Sequence, residues 1–193
     1  MTDATTGFAR AGRQMVLIGL GSNRGDSVQI VNGAMDRLAE FAEGRVRRSR
    51  LWRTSPVDCP PASDDFINAA AAFQPISGLT PEALLTALKM LESEYGRTPS
   101  PIKNAPRELD LDLLLFAQQT RSEANFVLPH PRAVDRLFVL APAAEILPDA
   151  VWPRTGLTIV QLLDRLDSLE QVTPLDVHGK LCEVPDLLLS RES

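Results

Sequence analysis

The chain is predicted to fold as an α+β domain, a ferredoxin-like βαββαβ core with additional C-terminal helices. Three observations carry that prediction. Four runs of strand length precede residue 117, and two segments with helix-start signals divide them into strand, helix, strand, strand, helix, strand. Two further apolar helical segments follow.

Gln14–Leu20 is a short apolar run ending in Gly21-Ser22-Asn23, which fits a buried first strand. Asp26 can cap a helix, with Gln29 completing a capping-box pattern, and Ile30, Ala34, Leu38 and Phe41 recur at helical spacing to about Glu43. Gly44 stands where a helix ends. Val46–Thr54 reads as an extended strand, Ser55–Asp65 as a proline-containing loop and Phe66–Gln74 as a third strand. Thr80-Pro81-Glu82 begins the second helix with a capping hydroxyl, a first-turn proline and an acid near the positive end of the dipole. Leu84, Leu85, Leu88 and Leu91 supply its buried stripe, and Gly96 closes it. A basic, proline-containing loop then leads into the fourth strand. Helices are predicted near Leu137–Ile146 and Thr158–Leu169. Residues 1–13 read as a flexible lead-in, 14–175 as a single domain and 176–193 as a weakly patterned tail.

The fourth strand is the most informative stretch. Arg107–Phe116 reads R-E-L-D-L-D-L-L-L-F, and polar and apolar residues alternate strictly from Glu108 to Leu113. Residues two apart on a strand share a face, so Asp110 and Asp112 point one way and Leu109, Leu111 and Leu113 the other. Two dry, unpaired carboxylates roughly 7 Å apart repel, and a hard divalent cation removes the repulsion; Mg²⁺ commonly sits on one or two carboxylates plus substrate phosphates. The plainer alternative is two aspartates on a wetted face.

Cations surround the acids. Arg97, Lys103 and Arg107 precede them, and His130, Arg132 and Arg136 follow in the run L-P-H-P-R-A-V-D-R-L-F. That composition suits a polyphosphate with bound metal, since arginine offers phosphate a planar fork of donors and keeps its charge. His130 could donate to a bridging or leaving oxygen. Thr54, Phe66, Asn68 and Phe138 suggest a flat heterocycle: an asparagine offers both donors and acceptors to a ring edge, and phenylalanines offer faces for stacking. The alternative places both phenylalanines in the core.

Bulk properties limit the classes. The 193 residues are 44% hydrophobic and 23% charged, as in a globular chain with one ordinary core. A net charge of −5 disfavours binding to nucleic acid. Cys59 and Cys182, without pattern, point to free thiols in a reducing compartment. The first residues lack the apolar stretch of a signal peptide and no run suffices to span a bilayer, so a cytoplasmic location without membrane contact is expected.

In this order the motifs resemble the 6-hydroxymethyl-7,8-dihydropterin pyrophosphokinase family of folate synthesis. The likeness rests on I-G-L-G-S-N-R-G-D at Ile18–Asp26, W-R-T-S-P at Trp52–Pro56, D-F-I-N-A-A at Asp65–Ala70, G-R at Gly96-Arg97 with A-P-R-E-L-D-L-D-L-L-L-F at Ala105–Phe116, and L-P-H-P-R…R-L-F-V-L-A-P at Leu128–Pro142. The resemblance implies that the pterin's hydroxymethyl oxygen attacks the β-phosphorus of ATP, transferring diphosphate and releasing AMP. It implies Asp110 and Asp112 as holders of two Mg²⁺ ions and Arg97 and Arg107 as the arginines that stabilise transfer. Glu92, Lys103, His130 and Arg136 would lie toward the nucleotide, and Thr54, Phe66, Asn68 and Phe138 around the pterin. The chain departs from the family pattern at Asp58, Pro99, Asn104, Ala105 and Glu108, which bears on nucleotide affinity and closure of a basic lid loop rather than on the reaction. A monomer or weak homodimer with this one activity is expected. The alternatives are a binding paralogue without turnover and a nucleic-acid-binding module on the same fold.

Overall fold

A computed structural model describes residues 15–57, 59–61, 63–98 and 105–183. Four strands and two helices alternate as expected, with β2 and β3 together making the second strand: β1 (Val16–Ser22), α1 (Ser27–Arg37), β2 (Arg47–Arg48), β3 (Leu51–Thr54), β4 (Phe66–Phe73), α2 (Pro81–Glu94) and β5 (Asp110–Phe116). A short hairpin follows, β6 (Arg121–Glu123) and β7 (Phe126–Leu128), then α3 (Leu137–Ile146), α4 (Ile159–Arg165) and β8 (Val172–Leu175). The main sheet runs β5-β1-β4-β3-β8, every pair antiparallel, with β2 also on β4. Its first four strands have the ferredoxin-like order.

Local chemistry explains the helix ends. Asp26 accepts from the Gln29 amide at 3.1 Å, and Thr80 accepts from Ala83 at 3.2 Å ahead of Pro81. Thr158 and Gln161 form a reciprocal capping box at α4. The first helix is shorter than its periodicity suggests: α1 ends at Arg37 and the chain tightens into a 3₁₀ turn over Leu38–Phe41. The predicted second strand divides because the Ser49 hydroxyl, rather than backbone alone, meets the Ala70 amide at 2.8 Å. The last helix spans Ile159–Arg165, and its predicted end instead leads to β8.

Two cores result. Alternate residues of β1 and β4, including Val16, Ile18, Ala69 and Phe73, face α1 and α2 with Leu84, Leu88 and Leu91. The opposite residues, including Leu17, Ala70, Ala72 and the fully buried Trp52, face Leu140, Ala144 and Leu163 of α3 and α4. The C-terminal helices therefore cover the face that a bare βαββαβ sheet leaves open.

Strand β5 contains a register shift opposite Leu17/Ile18: Leu115 pairs with Leu17 and Leu113 with Ile18, so Leu114 is the extra residue. This accounts for the L-L-L run. Leu113 packs on the first core, Leu114 and Leu115 both on the second, and Phe116 on the first again. The carbonyl of Leu114 accepts from the His130 amide at 3.1 Å, so the bulge helps to place His130.

Candidate active site

One row across the sheet makes the floor of the site. Gly21 of β1 lies opposite Asp110 on one side and Asn68 on the other, and Gly19 lies opposite Asp112 and Ala70. Glycines two apart share a face and leave it bare, so the acids of β5 and the amide of β4 look onto a common space. That space is a cavity of about 260 Å³. The start of α3 closes one side through Phe138, and the P-H-P-R segment contributes His130 and Arg132. The Leu137 and Phe138 amides both donate to Glu170, at 2.7 and 3.2 Å, which fixes the start of α3 with a carboxylate at its positive end.

The cavity has two chemically different ends. At one, Asn68 Nδ2 donates to Thr54 Oγ1 at 2.7 Å; both residues are buried, and Phe66 and Phe138 stand nearby in the lining. The hydrogen bond to Thr54 uses an Asn68 amide proton and leaves its carbonyl oxygen to face Gly21. A β-carbon at Gly21 would lie 2.7 Å from Asn68 Oδ1. Gly21→Ala is therefore expected to push that amide aside and weaken heterocycle binding about tenfold, roughly the strength of one neutral hydrogen bond. Calorimetric titration with a pterin would measure this; unchanged affinity would remove Asn68 from the pocket's recognition role.

At the other end, Arg97 Nη1 approaches Asp110 Oδ1 at 2.6 Å and Arg107 Nη1 approaches Asp110 Oδ2 at 2.8 Å. Arg107 is held by a clip that sequence reading missed. The Asn23 amide donates to the Arg107 carbonyl at 3.2 Å, Asn23 Oδ1 accepts from the Arg107 amide at 2.9 Å, and Asn23 Nδ2 reaches the Asp64 carbonyl at 3.4 Å. Asn23 is 4% exposed, and its place after G-L-G-S was the available signal. Arg136 also lines the cavity and lies 5.3 Å from the Phe138 ring centre, a cation–π contact.

Asp112 differs from Asp110. Its side chain has neither hydrogen bond nor ion pair among the described residues, and burial, followed by the neighbouring Asp110 charge, raises its pKa above the ordinary carboxylate value. Burial also holds the His130 pKa down, and His130 Nδ1 is buried without a hydrogen-bond partner among the described residues. A carboxylate in these surroundings calls for a cation, so the pair fits a hard divalent metal. Among the described residues no group of three or more His, Cys, Asp or Glu side chains gathers for a metal. Magnesium commonly uses one or two carboxylates and takes phosphate oxygens for the rest.

Of the sequence-predicted residues, Thr54, Phe66, Asn68, Arg97, Arg107, Asp110, Asp112, His130, Arg136 and Phe138 share this one cavity. Glu92 lies behind it, 3% exposed and tied to Arg97. Lys103 lies outside the described residues, as do Asp58, Pro99 and Asn104. Lys89, which the sequence reading did not single out, lines this cavity and a shallower one beside it.

The antiparallel α+β sheet thus carries a pocket with a cation-rich acidic pair at one end and an amide with aromatic faces at the other, a lining chemically suited to phosphates and to a flat heterocycle. The model of the 7,8-dihydro-6-hydroxymethylpterin-pyrophosphokinase (HPPK) family matches residues 17–148. A 2-amino-4-hydroxy-6-hydroxymethyldihydropteridine pyrophosphokinase of Synechocystis sp. is 38% identical over 168 residues, covering 86% of this chain and 84% of that one. The protein of the same name from Methylorubrum extorquens is 38% identical over 151 residues, 78% of this chain and 92% of the other. In three dimensions the chain is similar to wild-type Plasmodium falciparum HPPK-DHPS, with a TM-score of 0.61 and 14% identity, a likeness of fold. That alignment spans 78% of this chain and 44% of the longer one. The chain belongs to the 7,8-dihydro-6-hydroxymethylpterin-pyrophosphokinase family.

Proposed function

We propose that the chain transfers diphosphate from ATP to the hydroxymethyl group of 6-hydroxymethyl-7,8-dihydropterin, releasing AMP, as a step of folate biosynthesis. The observation that carries this reading is the two-ended cavity, in which an amide-and-aromatic pocket opens directly onto a cluster of acids and arginines. The pterin edge meets Asn68 and Thr54, and its ring lies between Phe66 and Phe138. Its hydroxymethyl arm then points along the Gly19–Gly21 floor toward Asp110 and Asp112. Beside that end, the recess bordered by Leu85, Leu113 and Val127 shares Asp112 and His130 with the main cavity and suits the nucleotide base.

Asp110 and Asp112 hold magnesium in this reading, and the metal supplies charge neutralisation on the phosphates when bound. Phosphoryl transfer asks the protein mainly for positioning and charge stabilisation. Arg97 and Arg107, now on Asp110, are placed to share their forks with phosphate oxygens. Arg136 contributes further positive charge beside Phe138. His130, held neutral by burial, can donate a hydrogen bond without adding charge. ATP and a reduced pterin as substrates suit the cytoplasm.

The test is AMP release from ATP and Mg²⁺ with and without 6-hydroxymethyl-7,8-dihydropterin. AMP that appears only with the pterin is the expected result. Tight pterin binding with no AMP would refute turnover and leave a binding paralogue.

A further inference from the structure

Strand β5 is an edge strand: it pairs with β1 on one side, and among the described residues no strand covers the other in the main sheet. The outward N–H and C=O groups of an edge strand need partners when buried. At Leu111, which separates the two aspartates, both partners come from side chains of α2. Glu92 Oε1 accepts from the Leu111 amide at 2.7 Å, and Lys89 Nζ donates to the Leu111 carbonyl at 3.2 Å. The same Glu92 oxygen also meets Lys89 Nζ at 2.7 Å and Arg97 Nη1 at 2.5 Å. Its own carbonyl accepts from the Arg97 amide at 3.1 Å. Glu92 is thus a carboxylate 3% exposed, bonded to the peptide between two acids and to two cations beside the cavity.

From this arrangement we infer that Glu92 is a positioning residue for diphosphate transfer. It acts through Arg97 and the Asp110–Asp112 backbone without touching the nucleotide. The inference rests on the proposed reaction and adds to it a reason why Arg97 is available. Asp110 already carries Arg107 on one oxygen, and Arg97 Nη1 is shared between Asp110 Oδ1 and Glu92 Oε1. Without the Glu92 charge, Asp110 would be Arg97's one remaining carboxylate among these contacts. Both oxygens of the metal-site acid would then be locked to arginine. Glu92 keeps Arg97 anchored while Asp110 exchanges its arginines for other partners. A buried ion pair of this kind is weak evidence for added stability, because desolvation offsets its attraction, so a role in placement is the more economical account of its cost.

The experiment compares the parent chain with Glu92→Gln, Arg97→Ala and the double variant. Turnover is measured as pterin-dependent AMP release, pterin affinity by calorimetry and folding by circular dichroism. Gln keeps an oxygen for the Leu111 amide and removes the charge. The expected result is a kcat at least tenfold lower in Glu92→Gln, with pterin affinity within twofold of the parent. In the Arg97→Ala background the same change is expected to cost less than threefold, because its route of action is gone. Parent-like kcat in Glu92→Gln would overturn the inference. An equal loss in both backgrounds, or an unfolded variant, would overturn it as well. If the parent itself releases no AMP, the proposed reaction has failed, and the positioning claim is then read from the affinity of the same four chains for a magnesium complex of a non-hydrolysable ATP analogue. There Glu92→Gln is expected to weaken binding at least tenfold in the parent background and less than threefold in the Arg97→Ala background, and an unchanged affinity would overturn the claim.

Discussion

Asp112→Asn is expected to abolish turnover, lowering kcat by at least about 10³-fold, or roughly 4 kcal/mol of barrier, while the chain stays folded. The substitution keeps the shape of the side chain and removes the charge that a divalent cation needs. Its effect on stability should run the other way. The folded chain holds the Asp112 proton more tightly than the unfolded chain, because burial and then Asp110 disfavour the ionised form. The penalty for ionisation therefore sets in as pH rises through the ordinary carboxylate range and persists above the raised folded value. At neutral pH Asp112→Asn should melt no lower than the parent, and both chains should converge in acid. An active Asp112→Asn variant would remove the metal assignment, and a variant that melts well below the parent would mean that Asp112 is structural.

Arg107→Ala is the second large effect, with an expected loss of about 10²–10³-fold in kcat, the usual scale for removing one preorganised donor to developing charge. Pterin affinity should change by less than twofold. Asn23 holds the Arg107 backbone through both its amide and its carbonyl, so the loop keeps its path when the side chain is cut back. Arg107→Lys should recover little, since an ammonium cannot reproduce the paired donors of the guanidinium. Steady-state kinetics with either substrate varied would separate the outcomes. A rise in the pterin KM with kcat intact would place Arg107 in substrate binding instead.

The sequence was most legible where a local rule decides the outcome. The caps at Asp26 and Thr80 each satisfy a helix amide three residues away, and both form. Alternation along Glu108–Leu113 announced a strand with its acids on one face, and the cavity lies on that face. Legibility failed where the decision was made by distant residues. Three-residue strands such as Arg121–Glu123 and Phe126–Leu128 carry too little periodicity to register. Val172–Leu175 contains Pro174, which argues against a strand except at an edge, and the edge is where it sits. Glu92 falls four residues after Leu88 and eight after Leu84, on the buried stripe of α2, so an acid in an apolar row was visible. Its partners Arg97 and Leu111 were not, because only the folded sheet brings them to it.

The position of β1 has a consequence for how the protein is made. This first strand lies between β4 and β5, which arrive about fifty and ninety-five residues later in the chain. During synthesis, one side of β1 stays uncovered until residue 73 has emerged and the other until residue 116. Pairings of such sequence separation carry a large loop-closure cost and form slowly. The nascent chain thus carries an open, apolar strand edge while those residues are added, the kind of surface that associates with other chains. The acids on β5 meet the asparagine on β4 across β1 only once both sides are closed, and His130, Arg136 and Phe138 follow β5 in the chain, so neither end of the cavity is complete when β5 has just been made.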